Sequence, residues 1–160
     1  MSISQGLSTS QDVIVVKFQA ENRQQVIKEL GKRAAEKKYV QPEFVADVLS
    51  REENFPTGLE MQIPIALPHI GTHCNQSFLS LAILESPVAF NAMDGSGNVL
   101  NAELVFLFGI TNPDDQVEVL KKFIFAFRER ANLEKLKAAE NPEMALEVLK
   151  GLLTDDLIID

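Results

Sequence analysis

Three side chains able to ligate a metal or carry a covalent intermediate fall within six residues. They are His69, His73 and Cys74, in the stretch "IALPHIGTHC" from Ile65 to Cys74, and they are the chain's only histidines and only cysteine. Each suggests a different chemistry. Two imidazoles at a His-x3-His spacing face the same way on a helix and could share a zinc ion with Cys74. Pro68 before the first histidine and Gly71 between the two argue against helical geometry, and carboxylates would have to complete the ligand set. Cys74 could act as a nucleophile with a histidine base, but that requires an oriented base and oxyanion donors. Sequence neighbours rarely supply these, and a half-buried thiol packs as a small apolar group. His69 could itself attack a phosphorus centre, because imidazole titrates near neutrality and its neutral form carries a free lone pair. A phosphohistidine then needs cations or donors around its oxygens. Upstream, Arg51 and the hydroxyl of Thr57 could serve. On residue types and spacing alone the three chemistries stay open.

The elements that would position these groups can be read from periodicity. "DVIVVKF" (12–18) is β-branched and predicts a strand. Val26, Ile27 and Leu30 recur at helical spacing within 21–38, with Gly31 among them. Pro42 suits the first turn of a second helix over 42–53, whose apolar face is Phe44, Val45, Val48 and Leu49 and whose end carries Arg51. "QIPIAL" (62–67) contains a proline and predicts an edge or irregular strand. "SFLSLAIL" (77–84) predicts a strand, "MDGSGN" (93–98) a turn, and "AELVFLFGI" (102–110) the most apolar, central strand. Asn112 as cap, Pro113 and the acidic pair Asp114–Asp115 then open a helix. Its expected buried stripe is Val117, Leu120, Phe123, Ile124 and Phe127. Two shorter helices, within 132–139 and 142–153, follow. Strands mingled with helices and no linker predict one α/β domain over residues 11–160, a mixed β-sheet flanked by helices on both faces. Residues 1–10 read as a flexible polar tail.

Composition narrows the function classes. The chain has 160 residues, 46% hydrophobic, with a net charge of −8 and a pI near 4.8. An acidic chain without a basic stripe is not built to bind nucleic acid. No apolar run is long enough to span a bilayer, and the start is polar rather than signal-like. A lone cysteine allows no internal disulfide, so a reducing cytoplasmic setting is expected. The basic stretch 28–38 reads as a solvated helix face, and "DGSGN" lacks the strand–glycine–helix context of a phosphate loop.

Together, "SREENFPTGLEMQIPIALPH" (50–69) resembles the enzyme IIA domains of the fructose/mannitol superfamily of the bacterial phosphoenolpyruvate sugar phosphotransferase system. An Arg-Glu pair, then Thr-Gly, then a strand ending in Pro-His carries the resemblance. "FPTG" at Phe55–Gly58, the second histidine, and Pro87, Val88, Phe90 and Met93 are most similar to the galactitol-type subgroup. "AELVFLFGITNPDDQVEVLKKF" also resembles that subgroup's strand and helix, and the likeness runs over roughly 12–153. It implies a mixed sheet with helices on both faces and no cofactor or metal. It implies that His69 accepts a phosphoryl group from the carrier HPr and passes it to enzyme IIB, commonly to a cysteine. Arg51 would stabilise the phosphoryl group and Thr57 would help bind it. The membrane would be met only indirectly, through enzyme IIC, which selects the sugar. A regulatory paralogue that signals through its phosphorylation state is the alternative, and a metal-binding domain on His69, His73 and Cys74 a third reading. Two departures stand out. Mannitol-type members place a second histidine at the start of the helix after the central strand, where this chain has Gln116. His73 follows His69 by four residues, one fewer than the galactitol-type pattern has. Both are candidate neighbours of the site.

Overall fold

The computed structural model describes residues 6–160. Two long antiparallel strands form the spine: β6 (Phe78–Asn91) and β7 (Val99–Gly109). They are joined by the expected turn at 93–98, where Gly95 and Gly97 take φ of 76° and 82°. These left-handed angles suit glycine. β6 runs past the predicted strand end because Pro87, which has no N–H to give a ladder, lies in a register shift between Ile83 and Val88.

Short strands extend the spine on both sides. β1 (Leu7–Thr9) and β2 (Ile14–Phe18) run parallel to successive parts of β6. Along β7, β4 (Ile65–Ala66) and β5 (His69–Ile70) do the same. The break between them falls at Leu67–Pro68; of the predicted irregular strand over 62–67 only Ile65–Ala66 pairs as a strand, and β5 continues the line beyond its end. β3 (Gly58–Leu59) pairs antiparallel with β4 at one edge, and β8 (Leu157–Ile159) pairs with β1 at the other. The expected loose tail therefore fails for residues 7–10: Leu7–Thr9 are buried between β6 and β8. That pairing depends on a strand about 150 residues away, which no local pattern reveals. Residues 1–5 of that expected tail lie outside the described residues.

Helices cover both faces, as expected. α1 (Arg23–Glu36) and α2 (Glu43–Asn54) pack one face through Val26, Ile27, Leu30, Phe44 and Val48 against Phe78, Val105 and Leu107. α3 (Gln116–Phe127), α4 (Arg130–Lys137) and α5 (Pro142–Leu153) cover the other, around Phe106 and Phe108. Alternate residues of β7 thus enter opposite cores, as strand geometry requires. Asn112 caps as expected, its Oδ1 accepting from Asp114 N–H, but a short 3-10 turn at Pro113–Asp115 precedes α3.

The α3 stripe differs from expectation. Phe123 and Phe127 are buried, but so are Val119 and Ala126, while Val117 and Ile124 are 58% and 41% exposed. The helix carries apolar residues on more than one face, so its period did not select a stripe. Phe106 and Phe108 select it: Phe127 stacks on Phe106 with centroids 4.4 Å apart, and Phe123 meets Phe108 edge-on at 5.0 Å.

Candidate functional site

His69 sits on β5 where that strand runs parallel to the end of β7, opposite Phe108. Carboxyl ends of parallel strands are the usual place for a site in α/β sheets. The imidazole is only 6% exposed and lies flat on the Phe108 ring, with centroids 4.7 Å apart and planes 10° from parallel. Its Nδ1 is 2.6 Å from the Leu67 carbonyl oxygen. A carbonyl can only accept, so Nδ1 carries the proton and Nε2 keeps its lone pair. Burial, and then the positive charge of Arg51, outweigh that hydrogen bond and hold the imidazole pKa below the ordinary 6.5. His69 is therefore a neutral ring at pH 7, with its free nitrogen turned from the backbone.

Gln116 meets that nitrogen. As the first residue of α3 its amide nitrogen lies 3.3 Å from His69 Nε2 and donates to it. Gln116 lies in the first turn of α3, the positive end of that helix dipole, which favours an anion nearby. Arg51, in the last turn of α2, stacks its guanidinium over Phe55 at 4.9 Å. Among the described residues it makes no ion pair. With Asp47, Ser50, Phe55, Ile70 and Thr72 it lines an open cleft of about 340 Å³. Gln116 thus reaches His69 from a helix on one face of the sheet, while Arg51, on a helix of the other face, acts on it through its charge.

Thr57 is placed otherwise than expected. It is 3% exposed, and its hydroxyl donates to the Glu52 carboxylate at 2.8 Å while its N–H donates to the same carboxylate at 2.9 Å. The hydroxyl proton is already engaged, so Thr57 braces the turn and does not offer a donor to a phosphoryl group. Its Oγ1 in turn accepts from Leu67 N–H at 3.2 Å.

His73 and Cys74 turn away from His69. His73, at a left-handed φ of 58°, bonds through Nδ1 to Asp47 on α2, and Thr72 Oγ1 donates to the same carboxylate at 2.7 Å. Those two hydrogen bonds, Thr72's the larger, depress the Asp47 pKa. The backbone of this loop is tied to the α1–α2 connection by Gln41 N–H to His73 O and Asn75 N–H to Tyr39 O. Cys74 Sγ lies 3.6 Å from the Ile70 and Thr72 carbonyls, and burial pushes its thiol up to about 12, far from a reactive thiolate. Among the described residues no three His, Cys, Asp or Glu side chains gather as a metal site would require.

Sequence reasoning missed Glu52, the Leu67 carbonyl and Phe108. The first left a signal: Phe44, Val48 and Glu52 recur once per helical turn, so the glutamate occupies the buried stripe of α2. A carboxylate in that position must have partners.

Known proteins resemble this chain over most of its length. A curated relative, the mannitol-specific phosphotransferase enzyme IIA component of Halalkalibacterium halodurans, is 27% identical over 143 residues, covering 88% of this chain and 92% of its own. Its name carries mannitol, and the galactitol-type likeness has no counterpart in it. Enzyme IIAMTL of Escherichia coli, solved in complex with phosphorylated enzyme IIBMTL, superposes with a TM-score of 0.70 at 24% identity, covering 88% of this chain and 95% of that one. The nitrogen regulatory protein IIA-Ntr of Neisseria meningitidis superposes with a TM-score of 0.71 at 22% identity over 89% and 96%. Both share the fold. Residues 8–151 match the family described as "Phosphoenolpyruvate-dependent sugar phosphotransferase system, EIIA 2". The chain belongs to that family of phosphoryl-carrying enzyme IIA components, and is a phosphotransferase component of the sugar phosphotransferase system.

Proposed function

We propose that this protein takes a phosphoryl group from HPr on Nε2 of His69 and passes it to an enzyme IIB, within a sugar-uptake system of the cytoplasm. One observation carries the choice of atom: the Leu67 carbonyl claims Nδ1–H, which leaves Nε2 as the nucleophile. In the forward step the Nε2 lone pair forms a bond to phosphorus as the donor's bond to phosphorus breaks and takes its electron pair with it. Positive charge that develops on the ring is shared with Nδ1–H and met by the Leu67 carbonyl. Gln116 swings from Nε2 to a phosphoryl oxygen, and Arg51 supplies the compensating cation. No metal is required by this scheme, because the positioned donors carry the charge.

A partner must close over the site, since the nucleophile is buried and donor and acceptor are protein side chains. The exposed apolar side chains at its rim, Phe55 and Val117, suit that contact. The galactitol-type pattern is retained in this reading as the subgroup, and the sugar is left to the permease. Incubation with enzyme I, HPr and phosphoenolpyruvate should load acid-labile, base-stable phosphate on the wild type and none on His69→Ala. No uptake by the wild type, or equal uptake by the variant, would end the proposal.

A further inference from the structure

Glu52 is a buried carboxylate that the phosphoryl chemistry does not use directly. It is 4% exposed and lies at the end of the α2 core stripe, next to Arg51. Two donors of Thr57 converge on it, the N–H at 2.9 Å and the hydroxyl at 2.8 Å. Thr57 then holds the Leu67 N–H twice, through Oγ1 and through its backbone carbonyl, both at 3.2 Å. The other end of the Leu67 residue is the carbonyl that fixes His69 Nδ1. These contacts form one continuous chain from α2 to the imidazole.

We infer that Glu52 is a positioning residue for His69, acting through Thr57 and Leu67 to hold the ring in the Nδ1–H form with Nε2 unprotonated, the form that the Gln116 amide also meets. The inference rests on the phosphocarrier reading for its purpose, but the lock itself is a property of the unphosphorylated protein. Leu67 is followed by Pro68, which has no N–H and breaks the strand line, so local ladder bonds do not by themselves fix the Leu67 carbonyl. Thr57 and Glu52 replace the missing restraint. The same helix end that carries the Arg51 cation thus also orients the nucleophile, so a shift of α2 would disturb both together.

The carboxyl is pushed up to about 7 by burial, opposed by the Thr57 hydrogen bonds and by Arg23 on α1, and reinforced by Glu53 beside it. Both protonation states keep an oxygen to accept from Thr57, so Glu52→Gln should preserve the restraint and Glu52→Leu should remove it. Thr57→Val removes the hydroxyl with little change of shape.

The test is 15N–1H correlation NMR of the histidine side chains, with His73→Gln used to assign the His69 signals, alongside phosphate uptake from phospho-HPr. Wild type and Glu52→Gln should show the Nδ1–H tautomer alone. Thr57→Val and Glu52→Leu should show a mixture of tautomers and slower uptake, by roughly 10- to 100-fold for a misplaced nucleophile. A folded Thr57→Val protein with the wild-type tautomer and rate would overturn the inference. Because Thr57→Val is nearly isosteric, that outcome stays readable even if Glu52→Leu fails to fold. A wild type that takes up no phosphate would refute the carrier function and leave the tautomer measurement to decide the lock.

Discussion

At the residue level, the site depends on a histidine that takes up a proton less readily than an exposed one. Burial and Arg51 hold its pKa below 6.5, so phosphoryl acceptance should persist as pH falls through 6.5 and decline only at lower pH, when Nε2 takes a proton. A profile that halves at 6.5 in single-turnover uptake would contradict this. The same depression lowers stability in acid: the unfolded chain binds a proton that the folded ring resists, so this contribution is lost as pH falls below 6.5. Arg51→Ala should cut the transfer rate roughly 100-fold or more, the loss typical of removing one transition-state donor. Its melting temperature should barely move, since the side chain is half-buried, sits over Phe55 and makes no ion pair among the described residues. His69 and Arg51 drew attention by residue type and order along the chain, and Gln116 only through the family resemblance; the structure brings Gln116 to His69. The assignment of Thr57 to a phosphoryl group was not correct in detail, because a hydroxyl's partner is a matter of what lies across the turn. That partner, Glu52, was hidden by its neighbour: beside Arg51 it reads as half of a charged pair, whereas the helix turns it into the core.

Among the elements, α2 is the part that must not move, and α1 sets its position. Gly31 marks a tight contact between them: a Cβ there would lie 2.4 Å from Val45 Cγ2. Gly31→Ala should therefore destabilise the fold by about 1–3 kcal/mol through overpacking, despite alanine's better helix propensity. It should also slow phosphoryl uptake, because α2 carries both Arg51 and Glu52. Denaturant unfolding and uptake kinetics on the same variant check both. A stabilised variant with the wild-type rate would show that the helices separate freely. Gly31 looked from the sequence like a mere tolerated defect in a helix; the crossing gives it a reason. The helix and strand positions were mostly legible because amphipathic periods survive packing. The exceptions were set by distant partners: β1 by β8, the buried stripe of α3 by Phe106 and Phe108, and the length of β6 by a bulge that accommodates Pro87.

For the molecule as a whole, pH stability reports on the buried network. Glu52 is raised to about 7 from 4.5. The stability of its protonated form is fully present below 4.5 and is lost as pH rises through about 7. Glu52→Gln lacks this titration, so its stability should gain on that of the wild type between pH 4.5 and about 7. The gain should approach ~3 kcal/mol, since each tenfold change in proton affinity is worth about 1.4 kcal/mol. Thermal or denaturant unfolding of both proteins across that range measures it. Parallel curves would mean that Glu52 is ionised and well compensated throughout. The architecture that buries this carboxylate was readable as a fold class from alternating strands and helices. Its assembly of groups from both helical layers around one strand end was not, since helix order in sequence does not say which face each covers.

The proposed carrier chemistry turns on Nε2 of His69 as the atom that carries the phosphoryl group. The decisive measurement is 31P–15N correlated NMR of the phosphorylated, 15N-histidine-labelled protein. One phosphate per chain, coupled to Nε2 of His69 with Nδ1 still protonated, is the predicted result. Phosphate on Nδ1, on His73, or on no histidine would refute it.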